Sequence, residues 1–231
     1  MGGGDERDQD GGGRAPSALL REVLIPADPA DGAPVAVLLH GRGADRHDLL
    51  GLARGLPEGT LVVTPQAPHP GGAWGYGGGW AWYRYLGEDR VVTETLLESL
   101  EALDAFLEEL PAFLPVRPGP LFLGGFSQGG TTSLAYALTR REKDLPVLNF
   151  SGFLVDDSAI PVGEAARELR VFWGHGLQDP AIPHALGRKG RAALQAAGAR
   201  VTTSDHDIGH WIDPVELRRA SEWMRGVMGE G

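Results

Sequence analysis

The most reactive arrangement in the chain is Gly125-Phe126-Ser127-Gln128-Gly129, a serine with glycine two residues to either side. A serine hydroxyl is a weak nucleophile until a neighbouring base takes its proton, and a neutral imidazole is suited to that work near pH 7. Eight serines and 35 glycines in 231 residues would give this spacing by chance about 0.2 times. The context says more than the pattern. Leu121-Phe122-Leu123-Gly124 reads as a buried strand, and Gly130 to Leu138 can continue as a helix. A strand that turns straight into a helix through a strained serine needs small residues on both sides of the turn. The helix N-terminus beyond it favours developing negative charge. The plainer alternative is a Gly-rich turn with a helix-capping serine.

Four of the seven histidines follow Ser127: His175, His184, His206 and His210. Where a strand delivers the nucleophile to a helix in this way, the chain order is serine, acid, histidine. His210, in Asp207-Ile208-Gly209-His210-Trp211, lies between the last expected strand and the last expected helix, where a loop can carry it over the strand ends. The aspartates between are Asp144, Asp156, Asp157, Asp179, Asp205 and Asp207. Asp179 follows Val171-Phe172-Trp173 and the turn Gly174-His175-Gly176, so it too falls at the carboxyl end of a strand, where open α/β sheets bind ligands. A carboxylate there would orient the imidazole and stabilise its charged form. A solvated polar loop is the alternative for Asp205 to His210. A metal pair at His206 and His210 is chemically admissible, but no further ligand cluster calls for it, and no metal or cofactor is expected.

Upstream, Leu38-Leu39-His40 ends in the glycine-flanked loop Gly41-Arg42-Gly43-Ala44-Asp45. An early loop of this kind and the residue after the nucleophile supply the two oxyanion donors, here the amides of Arg42 and Gln128. Read without Ser127, the same loop is a simple strand-to-helix turn.

These groups need a scaffold that brings strand ends together. Strands are expected at Arg21 to Pro26, Val35 to His40, Leu61 to Pro65, Leu121 to Gly125, Pro146 to Phe150, Leu169 to Gly174 and Arg200 to Ser204. Several are continuously apolar, as for a sheet covered on both faces. Helices are expected at His47 to Arg54, Val91 to Phe113, Gln128 to Arg141, His184 to Ala197 and Pro214 to Met228. In the long one, Val92, Leu96, Leu97, Leu100, Leu103, Phe106 and Leu107 recur at steps of three and four. This alternation gives an α/β fold with a mostly parallel central sheet and helices on both faces. Residues 1–16, with two Gly triplets among charges, read as a disordered tail, and 17–231 as a single domain.

A net charge of −10 disfavours nucleic acid and anionic lipid as partners. There is no cysteine, which excludes disulfides and a thiolate nucleophile. No apolar run is long enough to span a bilayer, and the polar start lacks the features of a secretory signal, so the expectation is a cytoplasmic protein with a small-molecule substrate.

From about residue 20 onward the sequence resembles the phospholipase/carboxylesterase family of α/β-hydrolases, which includes acyl-protein thioesterases and small bacterial carboxylesterases. The resemblance rests on Leu39-His40-Gly41-Arg42-Gly43-Ala44-Asp45, Gly125 to Gly130, Ser151-Gly152-Phe153, His175-Gly176 with Asp179-Pro180 and Pro183, and Gly209-His210. It implies Ser127 as nucleophile, Asp179 as acid and His210 as base in a metal-free esterase, often a homodimer. The sequence departs from its relatives after Pro65-Gln66-Ala67-Pro68, where Trp82-Tyr83-Arg84 replaces an aromatic pair and an acid. The Gly-rich stretch from Trp74 to Tyr85 is either an aromatic flap beside the acyl pocket, with Trp80, Trp82 and Tyr83 at the substrate, or a packed surface loop. Arg42 and Arg84 are either solvated or turned toward an acidic acyl or phenolate group. The expected activity is hydrolysis of small carboxylic esters. The alternatives are an acyl-protein thioesterase or lysophospholipase-like hydrolase, and a non-catalytic ligand-binding homologue.

Overall fold

The computed structural model describes residues 19–140 and 145–229. The expected tail at 1–16, the helix end at Arg141 and the candidate acid Asp144 lie outside the described residues. In chain order the elements are β1 (Arg21–Leu24), β2 (Ala33–Leu39), β3 (Leu61–Pro65), β4 (His69–Pro70), β5 (Trp80–Ala81), β6 (Tyr85–Gly87), β7 (Arg90–Val91), α1 (Thr93–Phe113), β8 (Pro118–Phe126), α2 (Gln128–Thr139), β9 (Val147–Phe150), β10 (Arg170–Gly176), α3 (His184–Ala196), β11 (Arg200–His206) and α4 (Pro214–Gly229).

Seven strands form one sheet in the order β1-β3-β2-β8-β9-β10-β11. Only β1 runs antiparallel, against β3; the other pairings are parallel. Side chains alternate across a strand, and β2 separates two cores accordingly. Val35, Val37 and Leu39 join Leu100, Leu103 and Phe106 of α1 and Leu134 of α2 on one face. Ala36 and Leu38 join Phe122, Phe172 and the α4 residues Ala220 and Met224 on the other. Both faces are therefore covered, which is why β2 reads as an unbroken apolar run and why β3 and β9 are buried along their whole length. No helix of the described residues is long and apolar enough to cross a membrane.

Two regions differ from the sequence expectation. The helix expected at His47 to Arg54 is a turn followed by a short 3₁₀ helix, Leu50–Gly55. Asp45 Oδ1 caps this turn by accepting the amide of His47 at 2.8 Å, but the backbone bonds that follow, Asp48 N to Asp45 O at 3.2 Å and Leu52 N to Leu49 O at 3.1 Å, close over three residues instead of four. The glycine-rich stretch before α1 contains two minimal hairpins, β4–β5 and β6–β7. Strands of two or three residues among glycines have no periodicity from which they could be foreseen.

Candidate active site

β8 ends at Phe126, α2 begins at Gln128, and Ser127 alone makes the turn, at φ 53° and ψ −115°. This left-handed conformation is costly for a residue with a Cβ. Its amide donates to Phe150 O at 2.8 Å on neighbouring β9, and its carbonyl accepts from Thr131 N at 3.1 Å inside α2, so sheet and helix hold the turn from both sides. The flanking glycines are required by proximity. A Cβ on Gly125 would lie 2.4 Å from Leu39 O and 2.6 Å from the carbonyl carbon of Gly129, and one on Gly129 would lie 1.9 Å from Leu39 O. The end of β2 thus presses on the turn and excludes side chains there, a constraint set by a strand nearly ninety positions away.

Asp179 lies in the turn after β10. Its Oδ1 accepts the amides of Ala181 (2.9 Å) and Ile182 (2.8 Å), and its Oδ2 is 2.7 Å from His210 Nδ1. Burial alone would raise the Asp179 pKa, but the hydrogen bonds from His210 and the two amides outweigh it and hold the carboxyl below the ordinary carboxylate range. With Nδ1 facing a carboxylate, Nε2 of His210 is the ring nitrogen left for a substrate-side proton. The Phe126 ring packs on the His210 ring with centroids 4.6 Å apart. Buried His175 sits behind the acid: its Nε2 donates to Ile182 O at 2.8 Å and lies 3.6 Å from Asp179 Oδ2, and burial lowers its pKa.

Ser127 and His210 line one cavity of about 240 Å³ with Gly41, Arg42, Asp48, Tyr83, Tyr85, Gln128, Phe153 and Ile182 among its walls. No hydrogen bond joins the Ser127 hydroxyl to the His210 ring among the described residues. Such bonds commonly tighten only when substrate is bound. Among the described residues the amides of Arg42 and Gln128 donate to no protein acceptor. Ala67 N donates to His40 Nε2 at 3.0 Å, which leaves the Nδ1 proton for Gly41 O at 2.7 Å. Burial lowers the His40 pKa to about 4. This neutral imidazole therefore ties the β2 loop to the segment after β3, and the Arg42 amide is aimed by it.

The Trp74 to Tyr85 stretch is packed rather than loose. Gly43 N donates to Trp80 O and Trp80 N to Ala44 O, both at 2.8 Å. The Gln128 side chain accepts from Trp82 N (3.0 Å) and donates to Tyr83 O (2.8 Å), so the residue after Ser127 also fastens the aromatic segment. Of the three aromatic residues expected at the substrate, only Tyr83 lines the cavity. Trp82 is fully buried behind it, its Nε1 donating to His40 O at 3.0 Å, and Trp80 is held in β5. Both support the wall instead of touching what it encloses. Arg84 is exposed and outside the lining; Arg42 is in it. His206 bonds Ser204 Oγ at 2.7 Å while His210 faces Asp179, so these two histidines have separate partners.

Asp48, Tyr85, Phe126, Phe153 and Ile182 were not singled out as cavity residues from the sequence. Phe153 carried a signal, since Ser151-Gly152-Phe153 is part of the resemblance. Ser151 has φ 54° and Gly152 N donates to Asn149 Oδ1 at 3.0 Å, a sharp exit from β9 that turns Phe153 under the cavity.

The sequence model described as phospholipase/carboxylesterase matches residues 21–228. The chain is 27% identical over 227 residues to acyl-protein thioesterase 1 of Emericella nidulans, covering 89% of this chain and 94% of the relative. Among solved structures it is similar to esterase PE8, at 28% identity and TM-score 0.74 over 90% of this chain and 98% of that one. It shares its fold with a Bacillus cereus carboxylesterase at 21% identity and TM-score 0.75, covering 91% and 95% of the two chains.

Proposed function

The chain belongs to the phospholipase/carboxylesterase family, and we propose that it cleaves small carboxylic esters through an acyl-Ser127 intermediate, with His210 as base and Asp179 as its orienting acid. The observation that carries this reading is the cavity in which Ser127 and His210 meet, with His210 Nδ1 bonded to Asp179 Oδ2 at 2.7 Å behind it.

In acylation His210 Nε2 takes the Ser127 proton as Oγ bonds to the ester carbonyl carbon. The carbonyl electron pair moves to oxygen, where the Arg42 and Gln128 amides stabilise it. When the intermediate collapses, the C–O bond to the alcohol breaks and His210 returns its proton to the leaving oxygen. Water then repeats the sequence on the acyl-serine, releasing the acid and restoring Ser127. Asp179 stays ionised throughout and stabilises the imidazolium. A cavity of about 240 Å³ lies just below the usual range for ligand sites, which fits a short acyl group. Short-chain p-nitrophenyl esters should be hydrolysed by the wild type, and Ser127→Ala should abolish both turnover and labelling by a fluorophosphonate. Equal rates in the two proteins would overturn the assignment.

Thioester hydrolysis on acylated proteins would use the same groups, and the relatedness to an acyl-protein thioesterase over 94% of its length favours testing it. Turnover of short-chain but not long-chain acyl thioesters is expected from the cavity volume; absence of turnover on every acylated peptide removes this second reading.

A further inference from the structure

The cavity wall holds one arginine, and aromatic rings are its partners. The Arg42 guanidinium carbon lies 4.9 Å from the Tyr76 ring centroid and 5.8 Å from that of Tyr85, both within cation–π range. Tyr76 is itself fixed: its hydroxyl accepts the amide of Tyr85 at 2.8 Å, and its ring meets Trp74 edge-on. No carboxylate among the described residues forms an ion pair with Arg42. By contrast, Arg46 is engaged by Glu22 and Gln66 and Arg191 by Asp205. Aromatic rings occupy the faces of a guanidinium and leave its edge N–H groups unsatisfied, and that edge is the part that matches a carboxylate in two parallel hydrogen bonds.

We propose that Arg42 is a specificity-determining residue, its guanidinium binding a carboxylate carried by the substrate while its amide faces the oxyanion. The substrate class is then a short ester that bears a second, anionic carboxyl group. This inference rests on the esterase reading of the same site. Besides Arg42 and His210, the wall contains one carboxylic acid, Asp48, whose pKa is raised by burial and by neighbouring Asp45. Arg84, exposed and outside the lining, has no part in it.

The test compares kcat/KM for esters matched in size and differing in charge, in two arms. The acyl arm sets p-nitrophenyl hydrogen succinate against p-nitrophenyl butyrate; the alcohol arm sets 4-acetoxybenzoate against phenyl acetate. In at least one arm the charged-to-neutral ratio should fall by about tenfold to a hundredfold in Arg42→Gln, mainly through KM. Arg42→Lys, which keeps the charge without the planar fork, should lie between. Rising salt should lower the ratio in the wild type and leave it flat in Arg42→Gln. A ratio unmoved by Arg42→Gln in both arms overturns the inference while leaving the esterase reading in place. A binding arm separates the two in the other direction. On the Ser127→Ala protein, calorimetry should give tighter binding of monomethyl succinate than of dimethyl succinate, with the difference lost on adding Arg42→Gln. If the wild type hydrolyses no ester but this difference holds, the activity reading falls and the anion site stands; equal binding of the two esters overturns the site.

Discussion

Replacing Ser127 by glycine should give a more stable protein than replacing it by alanine. Both variants lose the hydroxyl and neither should turn over substrate, so the comparison isolates the backbone. At φ 53° and ψ −115° a residue with a Cβ stores about 1 to 3 kcal/mol of strain. Alanine keeps that strain and glycine releases it, at an entropic cost of about 0.4 to 1 kcal/mol in the unfolded chain. The net difference is about 0.5 to 2 kcal/mol in favour of glycine. For 231 residues the unfolding entropy is about 0.5 kcal/mol per kelvin, which converts the difference to a Tm higher by about 1 to 4 °C. Thermal and urea unfolding of the two variants side by side reads it directly. In both, the amide at position 127 remains available to Phe150 O and the carbonyl to Thr131 N, so the turn has the same supports. An alanine variant as stable as the glycine variant would mean that β2, β9 and α2 hold the turn without strain, and the energetic account of the nucleophile would be wrong.

Asp179→Asn should lower kcat/KM by about 10⁴ at neutral pH, because the amide offers a donor where His210 Nδ1 now meets an acceptor at 2.7 Å; a loss of less than about tenfold would remove Asp179 from the mechanism. Glu216→Gln tests a buried acid away from the reacting groups. Glu216 packs against Gly174 at the end of β10, and burial pushes its pKa up to about 8. Between pH 4.5 and 8 the unfolded state releases this proton before the folded state does, so the group's contribution to stability is complete below about pH 4.5 and is lost as pH rises. Glutamine cannot ionise, so the stability of the variant relative to wild type should rise between pH 5 and pH 8 by about 3 kcal/mol. A difference that stays flat over that range would show the carboxyl to be solvated or paired.

Much of this molecule is legible in the sequence because its chemistry sits where element types change. A serine between a buried strand and a helix, an aspartate after a strand and a histidine in the last strand-to-helix loop all fall at strand ends, and in a parallel sheet those ends converge on one rim. The α1 stripe from Leu96 to Leu107 fixes through its periodicity which helix face must be buried, and the continuous apolar run of β2 marks a strand covered on both faces. The 3₁₀ turn at Leu50–Gly55 is less legible, because closure of its backbone bonds over three residues, as in Leu52 N to Leu49 O, is not fixed by residue type or periodicity.

Sequence alone determines the candidate reactive groups, their order along the chain and the alternation of strand and helix, since each depends on residue type and near neighbours. Tertiary structure decides what those groups face. Trp82 and Tyr83 are adjacent aromatic residues whose backbone Gln128 grips, yet Tyr83 lines the cavity while Trp82 turns its Nε1 to His40 O outside the lining. Arg42 and Arg84 are both arginines beside the same segment, and only the rings of Tyr76 and Tyr85 set one of them into the site. Even the glycines around Ser127 are explained by Leu39 O, an atom brought there by the pairing of β2 with β8, a contact between strands more than eighty residues apart that no local pattern in the chain encodes.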